Sequence, residues 1–301
     1  IQETVCPLRW YGLSPIIHYW RLIVSNMDPL SILLAHAAPR ANLFFAGNLC
    51  QHSHSHDYPA GGHLHLLRRG ELLLREEGGE PLLLTEPTLI LFPRGRGHRL
   101  EPRQLAGCDL VCASVLFGPT GDSPLQLALP DTLVLPLQTI PAMAPVLTLL
   151  FEEAFADRYG QPPILSRLLE VLLILLLRHL VEQGHCRQGM LAALSDPRLA
   201  RAVTAMHQRG DEPWTVETLA REAGMSRARF AAHFQALTRQ TPLGYLTRWR
   251  MMLASQQLLA GESITQVALG VGYSGGTAFG RAFEREFGMS PGRWLKTRQC
   301  K

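Results

Sequence analysis

Apolar residues along this chain keep two different rhythms. Over residues 43–117 they come in short runs broken by Gly, Glu and Pro, as in "HLHLLRRGELLLREEGGEPLLLTEPTLILFPRGRGHRL". Short apolar runs bounded by turn residues predict antiparallel strands. Gly78-Gly79 marks a hairpin turn, and "CDLVCASVLFG" continues as a further strand. The expected unit is a small β-sandwich or barrel. Residues 118–139 read as a Pro-rich connection. From residue 140 or so the repeat turns helical, in "APVLTLLFEEAFADRYG" and then "PPILSRLLEVLLILLLRHLVEQG". The second of these helices is apolar nearly all round. It needs cover on several sides, from the β-rich part and its neighbour helix or from a second subunit. Upstream, "MDPLSILLAHAAPR" predicts a helix with Asp28 as its cap and Pro29 in its first turn. Residues 1–26 differ in character from the rest of the chain and are expected to be an upstream extension.

The last third repeats itself. In "TVETLAREAGMSRARFAAHFQALTRQTPLGYL" a helix over Val216–Ala223 is followed by a turn at Gly224, and Ser226 is placed to cap a second helix. Leu219, Ala220, Ala223, Phe230 and Phe234 would pack the two together. In "SITQVALGVGYSGGTAFGRAFEREFGMSPGRWLK" Ser263 caps Ile264–Leu269, Gly272 turns, and Thr277–Phe287 forms the second helix. Phe279 and Phe283 echo Phe230 and Phe234 at the same spacing of four. An unbroken helix, "PLGYLTRWRMMLASQQLLAGE", joins the two units. Each unit has the pattern of a helix-turn-helix, and two joined copies are far more specific than one. The chain is thus expected to be α+β, with a β-barrel and helical pair ahead of an all-α tandem helix-turn-helix domain.

Charge sharpens this division. Residues 196–301 hold 15 Lys/Arg against 8 Asp/Glu, a net of +7, whereas residues 1–195 hold 14 against 17, a net of −3. A basic third on a mildly acidic body points to a polyanion partner for that third. No stretch reaches the roughly 18–20 uninterrupted apolar residues of a membrane span, so no membrane partner is expected. Six cysteines, Cys6, Cys50, Cys108, Cys112, Cys186 and Cys300, are scattered over 301 residues. That is no disulfide framework, and the default is a cytoplasmic protein with reduced thiols.

The segments "MSRARFAAHF", "TPLGYLTRWRMMLASQQLL" and "ITQVALGVGYSGGTAFGRAFEREFGMSP" resemble the AraC family of bacterial transcription regulators. The resemblance implies a DNA-binding domain over residues 196–301, with two recognition helices entering successive major grooves of double-stranded DNA, and RNA polymerase as a further partner. It places Ala228, Ala231 and Ala232 toward bases in the first helix, flanked by Arg227 and Arg229 on phosphates. In the second helix Gly276, Thr277 and Arg281 take the contact positions. Three alanines offer methyl contacts suited to thymine and few hydrogen bonds. Gly275-Gly276 replaces the family's usual cap and contact, leaving Ser274 to take over the cap, and Lys296 stands where an Arg is usual. Arg250 matches a family Arg, with a structural ion pair as its expected role.

The β-rich part resembles the cupins, through the Gly-Glu turn of "LRRGELLL" and the later Pro93-Arg94-Gly95-Arg96-Gly97-His98, which returns a histidine to a barrel interior. The whole order, from "MDPLS" to the AraC-type end, resembles the cupin-type sensor subgroup of AraC regulators, in particular the part that answers reactive chlorine. This implies a cupin-like sensor domain over residues 27–135 and a helical pair over 136–190 that is a candidate for homodimerisation. Within the sensor, "CQHSHSHDYPAGGHLH" packs five histidines and one cysteine into residues 50–65. Alternate strand residues share a face, so His63 and His65 point the same way. Aligned on the cupin pattern, His54, His56, His63 and His98 form a candidate site for a divalent transition metal, such as Zn, Fe, Ni or Cu. Solvated or core histidines explain the same residues without a metal, and no cofactor is required. Cys112 sits at the position of a redox-sensitive Cys of that subgroup and Cys50 near the place of its partner. Cys108, an even offset from Cys112, shares its strand face. The redox candidates are therefore Cys50, Cys108 and Cys112, with a Cys50–Cys112 link implied by the resemblance. The alternative is that Cys108 and Cys112 are buried small hydrophobes.

The function expected from these parts is a sequence-specific DNA-binding regulator, an activator by resemblance, controlled by a redox, metal or small-molecule signal. No catalytic residue is assigned. The rival is a metal-dependent cupin enzyme fused to a DNA-binding tail. It would need regular metal spacing and a base near the substrate, and the sequence offers neither.

Overall fold

The computed structural model describes residues 28–51, 53–54, 61–118, 124–184 and 189–299. The expected extension over 1–26 lies outside them. Helix α1 (Pro29–Ala37) begins as expected: the Asp28 carboxylate accepts from the Ser31 N–H at 3.0 Å and Pro29 opens the first turn. The strands follow as β1 (Pro39–Leu49), β2 (Ser53–His54), β3 (Gly62–Arg69), β4 (Leu72–Glu76), β5 (Leu82–Leu84), β6 (Thr88–Phe92), β7 (His98–Pro102) and β8 (Cys108–Phe117). After the short helix α2 (Pro124–Ala128) comes β9 (Leu133–Pro136). One sheet runs β1-β8-β3-β6-β9 and faces a second, β2-β7-β4-β5, and the pairings are antiparallel. Gly78 turns the β4–β5 hairpin at φ +74°. Strand β9 corrects the reading of 118–139 as connection only: its "LVLP" extends the sheet edge beside β6, where Pro136 needs no inner partner.

Alternation decides what the larger sheet shows to each side. From β3, Leu67 faces the other sheet, where it joins Leu72, Leu74, Ile90, Phe92, Leu100, Cys108, Leu110 and Cys112 in the barrel core. Leu64 and Leu66 face the other way, into a helical layer. That layer is α3 (Ala144–Ala154) and α4 (Gln161–Glu182). Seven leucines of α4, from Leu165 to Leu180, are buried; burial stabilises each by about 1.5–3 kcal/mol before ordering entropy is counted. Its opposite face, with Ile164 and Val171, stays exposed.

Eight further helices follow among the described residues: α5 (Met190–Ser195), α6 (Pro197–Gln208), α7 (Val216–Glu222), α8 (Arg227–Thr238), α9 (Pro242–Leu259), α10 (Ile264–Gly270), α11 (Gly276–Phe287) and α12 (Pro291–Gln299). The apolar core beneath the large sheet runs on without a break through α4, α5 and α6 into Leu219, Phe230, Phe234 and Trp249. A separate core, with Met251, Leu258, Val267, Phe279, Phe283 and Trp294, serves the last three helices. Among the described residues no helix is long and apolar enough to cross a membrane.

Candidate functional site

The two helix-turn-helix units repeat in space as they do in sequence. Helix α7 opens on a reciprocal cap: the Thr218 N–H donates to the Thr215 hydroxyl oxygen at 3.1 Å, and the Thr215 N–H to that of Thr218 at 2.9 Å. Ser263 and Gln266 do the same for α10. Gly224 (φ +63°) and Gly272 (φ +82°) turn the chain. A Cβ on Gly272 would lie 2.4 Å from the Asp211 carbonyl oxygen, so only glycine fits. The ring pairs Phe230–Phe234 and Phe279–Phe283 share one geometry, 5.6 Å between centroids and 55° between planes.

With those phenylalanines buried, the outer faces of α8 and α11 are fixed. Arg227, Ala228, Arg229 and Ala232 are exposed on α8 and Ala231 half-buried; Gly276, Thr277 and Arg281 are exposed on α11. Among the described residues no ion pair engages Arg227, Arg229 or Arg281. Two expected caps are corrected. Ser226 holds the N-cap position of α8 without a side-chain bond, and α11 starts from Gly275, not from a Ser274 cap. First-turn N–H groups of both helices are thus left for solvent or an anion.

Helix α9 joins the units with opposite faces. Tyr245, Trp249 and Met252 enter the first core, Met251, Ala254 and Leu258 the second. Arg250 is structural, but not through the expected ion pair. Its guanidinium donates to the Gly210 and Glu212 carbonyl oxygens, both at 2.6 Å, with Tyr273 beneath it. Helix α1 meets this region as well: Gln256 donates to the His36 carbonyl, and the His36 ring stands edge-on to Trp249 at 5.4 Å. Trp249 stacks on His207 at 3.8 Å, and His207 is hydrogen-bonded to the Tyr245 hydroxyl at 2.6 Å.

The barrel interior holds the second set of candidates. His63, His65 and His98 are all buried there. His98 Nδ1 donates to the Arg96 carbonyl at 2.8 Å. In the neutral ring its Nε2 is then an acceptor, so the 2.9 Å contact with His65 Nε2 has His65 as donor. Burial, opposed by the Arg96 bond and aided by His63, pushes His98 down to about 4. Burial and the two neighbouring imidazoles hold His65 well below the usual histidine range. Of the expected metal set the described interior holds His63 and His98, together with His65. His65, which that set omitted, occupies the Nε2 that a metal would take on His98. Of His54 the backbone is placed, opposite Arg99, and His56 lies outside the described residues. Among the described residues no three His, Cys, Asp or Glu side chains are grouped to hold a metal ion.

Cys108 and Cys112 share the inner face, as alternation predicts. Cys112 lies opposite both Phe45 and His65, and burial pushes its thiol far up. Cys108 lies opposite Leu49. Cys50 is exposed, with its thiol donating to the Asn48 side-chain oxygen at 2.9 Å. The link of Cys50 to Cys112 meets an obstacle of register: Phe45, the partner of Cys112, stands five residues before Cys50, or about 16 Å along a strand.

Comparison with known proteins agrees with both halves. Residues 28–182 match the cupin family and residues 219–297 a helix-turn-helix domain family. A putative AraC-like transcription regulator of Streptomyces lividans is 32% identical over 301 residues, covering 90% of this chain and 98% of the relative. The RCS-specific HTH-type transcriptional activator RclR of Escherichia coli is 29% identical over 285 residues, covering 89% and 97%. The HTH-type transcriptional regulator AlkR of Acinetobacter baylyi is 41% identical over 133 residues, 44% of either chain.

Proposed function

The chain belongs to the AraC-like transcription regulators with an N-terminal cupin domain, and from that premise we propose how its parts divide the work. It is a DNA-binding regulator and not an enzyme. In our reading residues 196–301 bind DNA, 27–135 sense, and 136–190 hold two copies together. The observation that carries the reading is the repeated pair of exposed faces. Arg227 and Arg229 hold phosphates beside the methyl-bearing Ala228, Ala231 and Ala232, while Thr277 and Arg281 read base edges beside Gly276. An Arg that reaches a guanine edge reads sequence, whereas phosphate contacts fix register. Work of this kind places the protein in the cytoplasm, on promoter DNA, where contact with RNA polymerase activates transcription.

Binding to duplexes selected from a random pool tests this. The expected result is a preferred sequence spanning two successive major-groove segments, with affinity falling steeply as salt rises. Equal affinity for all duplexes would overturn it. The homodimer rests on the exposed apolar face of α4, with Ile164 and Val171, and on the exposed Leu149 of α3. The signal's route to DNA is the unbroken core from the large sheet to α8, together with the seat of α1 on α6 and Trp249.

A further inference from the structure

A cleft of about 580 Å³ opens where the start of α6 meets the flank of α8. Asp196, Arg198, Met225, Arg229, Ala232 and His233 line it. It adjoins the outward face of α8, since Arg229 and Ala232 are exposed there and also form its wall. Arg198 belongs to neither helix-turn-helix unit. It stands on α6, outside the residues 219–297 that match the helix-turn-helix family.

The acid in the cleft is fully engaged. Asp196 Oδ1 caps α6, accepting from the Arg198 N–H at 2.9 Å and the Leu199 N–H at 3.0 Å. Its Oδ2 accepts from His233 Nε2 at 2.7 Å. Burial raises the Asp196 carboxyl, but the Leu199 N–H, His233 and the Arg198 N–H outweigh it and hold the group below its usual range. Asp196 therefore stays ionised, spends its charge on three N–H donors, and pins α8 to the start of α6. The two arginines are in the opposite condition. Both are exposed, and among the described residues neither guanidinium has an ion pair or a hydrogen bond. Ala232 adds only a methyl group to the wall.

We propose that this cleft seats a backbone phosphate of the duplex, held by Arg198 and Arg229 together, so that the DNA interface extends beyond the helix-turn-helix units onto α6. The chemistry selects that ligand. A phosphodiester shares one negative charge between two unesterified oxygens, and planar guanidinium forks bind such oxygens through short, charge-assisted N–H···O bonds. A contact of this kind carries no sequence information and fixes the register of the protein on the duplex. Here it also fixes how α8 enters its groove, because the Asp196–His233 bond ties α8 to the helix that holds the phosphate. Leu199, Ala202, Val203 and Met206 place α6 in the continuous core, and α1 packs along it. A duplex resting on α6 thus touches the helix that carries the core of the β-domain forward. A signal that shifts α6 alters the phosphate seat, and DNA in the seat acts back on α6 with the same coupling.

The seat rests on the DNA-binding role proposed for α8, and the test separates the two. Full-length protein is titrated with a duplex selected for tight binding and with an unrelated duplex, over a series of salt concentrations, with fluorescence anisotropy as the readout. Arg198→Ala should weaken both duplexes alike, by about tenfold. Its Tm should match wild type, since Arg198 is exposed and the Asp196 cap uses only its backbone N–H. Arg198→Lys keeps the charge and should restore most of the salt slope. The double variant Arg198→Ala, Arg229→Ala should flatten that slope by about 1 in total, as for a single phosphate. A flattening of about 2 would assign two separate phosphates and overturn the shared seat. So would an Arg198→Ala protein that binds as wild type does, or one whose base preference changes. Wild-type protein that bound no duplex would remove the role of α8 and the seat with it, whereas normal wild-type binding with Arg198→Ala unchanged removes the seat alone.

Discussion

His98 shows how a single side chain ties the sheets together. Its Nδ1 is committed to Arg96 and its Nε2 to His65, so the ring is useful to the fold only when neutral. His207 is held likewise, pushed down to about 3 by burial with His36 nearby. Both would take a proton near 6.5 in the unfolded chain. Between about 4 and 6.5 the unfolded state therefore binds more protons than the folded one. Stability is full above that window and declines as pH falls through it, by up to about 1.4 kcal/mol per pH unit for each histidine. Thermal melts from pH 7.5 to 5.0 should show the decline. In His98→Phe, where a ring still stacks on Phe92, the slope should be shallower. On the faces proposed to meet DNA, Arg281→Ala should relax preference at one base pair by roughly 1–3 kcal/mol. Arg227→Ala should weaken all duplexes alike and flatten the salt slope by about 1. The strand period made the shared face of His63 and His65 legible, and likewise that of Cys108 and Cys112. It could not show His65 meeting His98, because that contact crosses between sheets and depends on ring orientation. Nor could it show Leu49 opposite Cys108, which depends on strand register.

At the scale of elements, the caps expected at Asp28 and Ser263 hold their bonds, whereas Ser226 has the right residue type and no bond. Thr215, which the sequence reading passed over, caps its helix as Ser263 does. Thr215→Ala should therefore cost about 1 kcal/mol, a fall of a few degrees in Tm, while Ser226→Ala should leave Tm nearly unchanged. Strand β9 was hidden because its four residues sit among prolines, and only the waiting edge of β6 makes them a strand. The apolar girth of α4 was plain in the sequence, but not how much of it the sheet and α3 would cover. If the exposed remainder is where a second copy sits, Val171→Asp should turn a dimer into a folded monomer in sedimentation velocity. A wild-type protein that is monomeric at micromolar concentration would count against that face.

For the whole molecule, the division of cores does not follow the division of motifs. The tandem repeat suggests two equal units on one linker helix, yet the first shares its core with the β-domain and the second does not. Nothing in the repeat's spacing encodes this asymmetry. It arises from α5 and α6, which carry the core of the large sheet forward. Removing a buried Phe costs about 3–5 kcal/mol, and the two units should answer differently. In scanning calorimetry Phe283→Ala should split off a separate, lower transition. Phe234→Ala should lower the main transition itself.

The same partition bears on how such a chain can change over generations. An altered α11 disturbs a core that ends at Trp294, so the DNA contacts proposed for it can vary while the β-domain keeps its fold. An altered α8 is felt as far back as β3. On the proposed reading, new promoters are thus most readily acquired through the groove met by α11, and the groove met by α8 is left as the inherited constant.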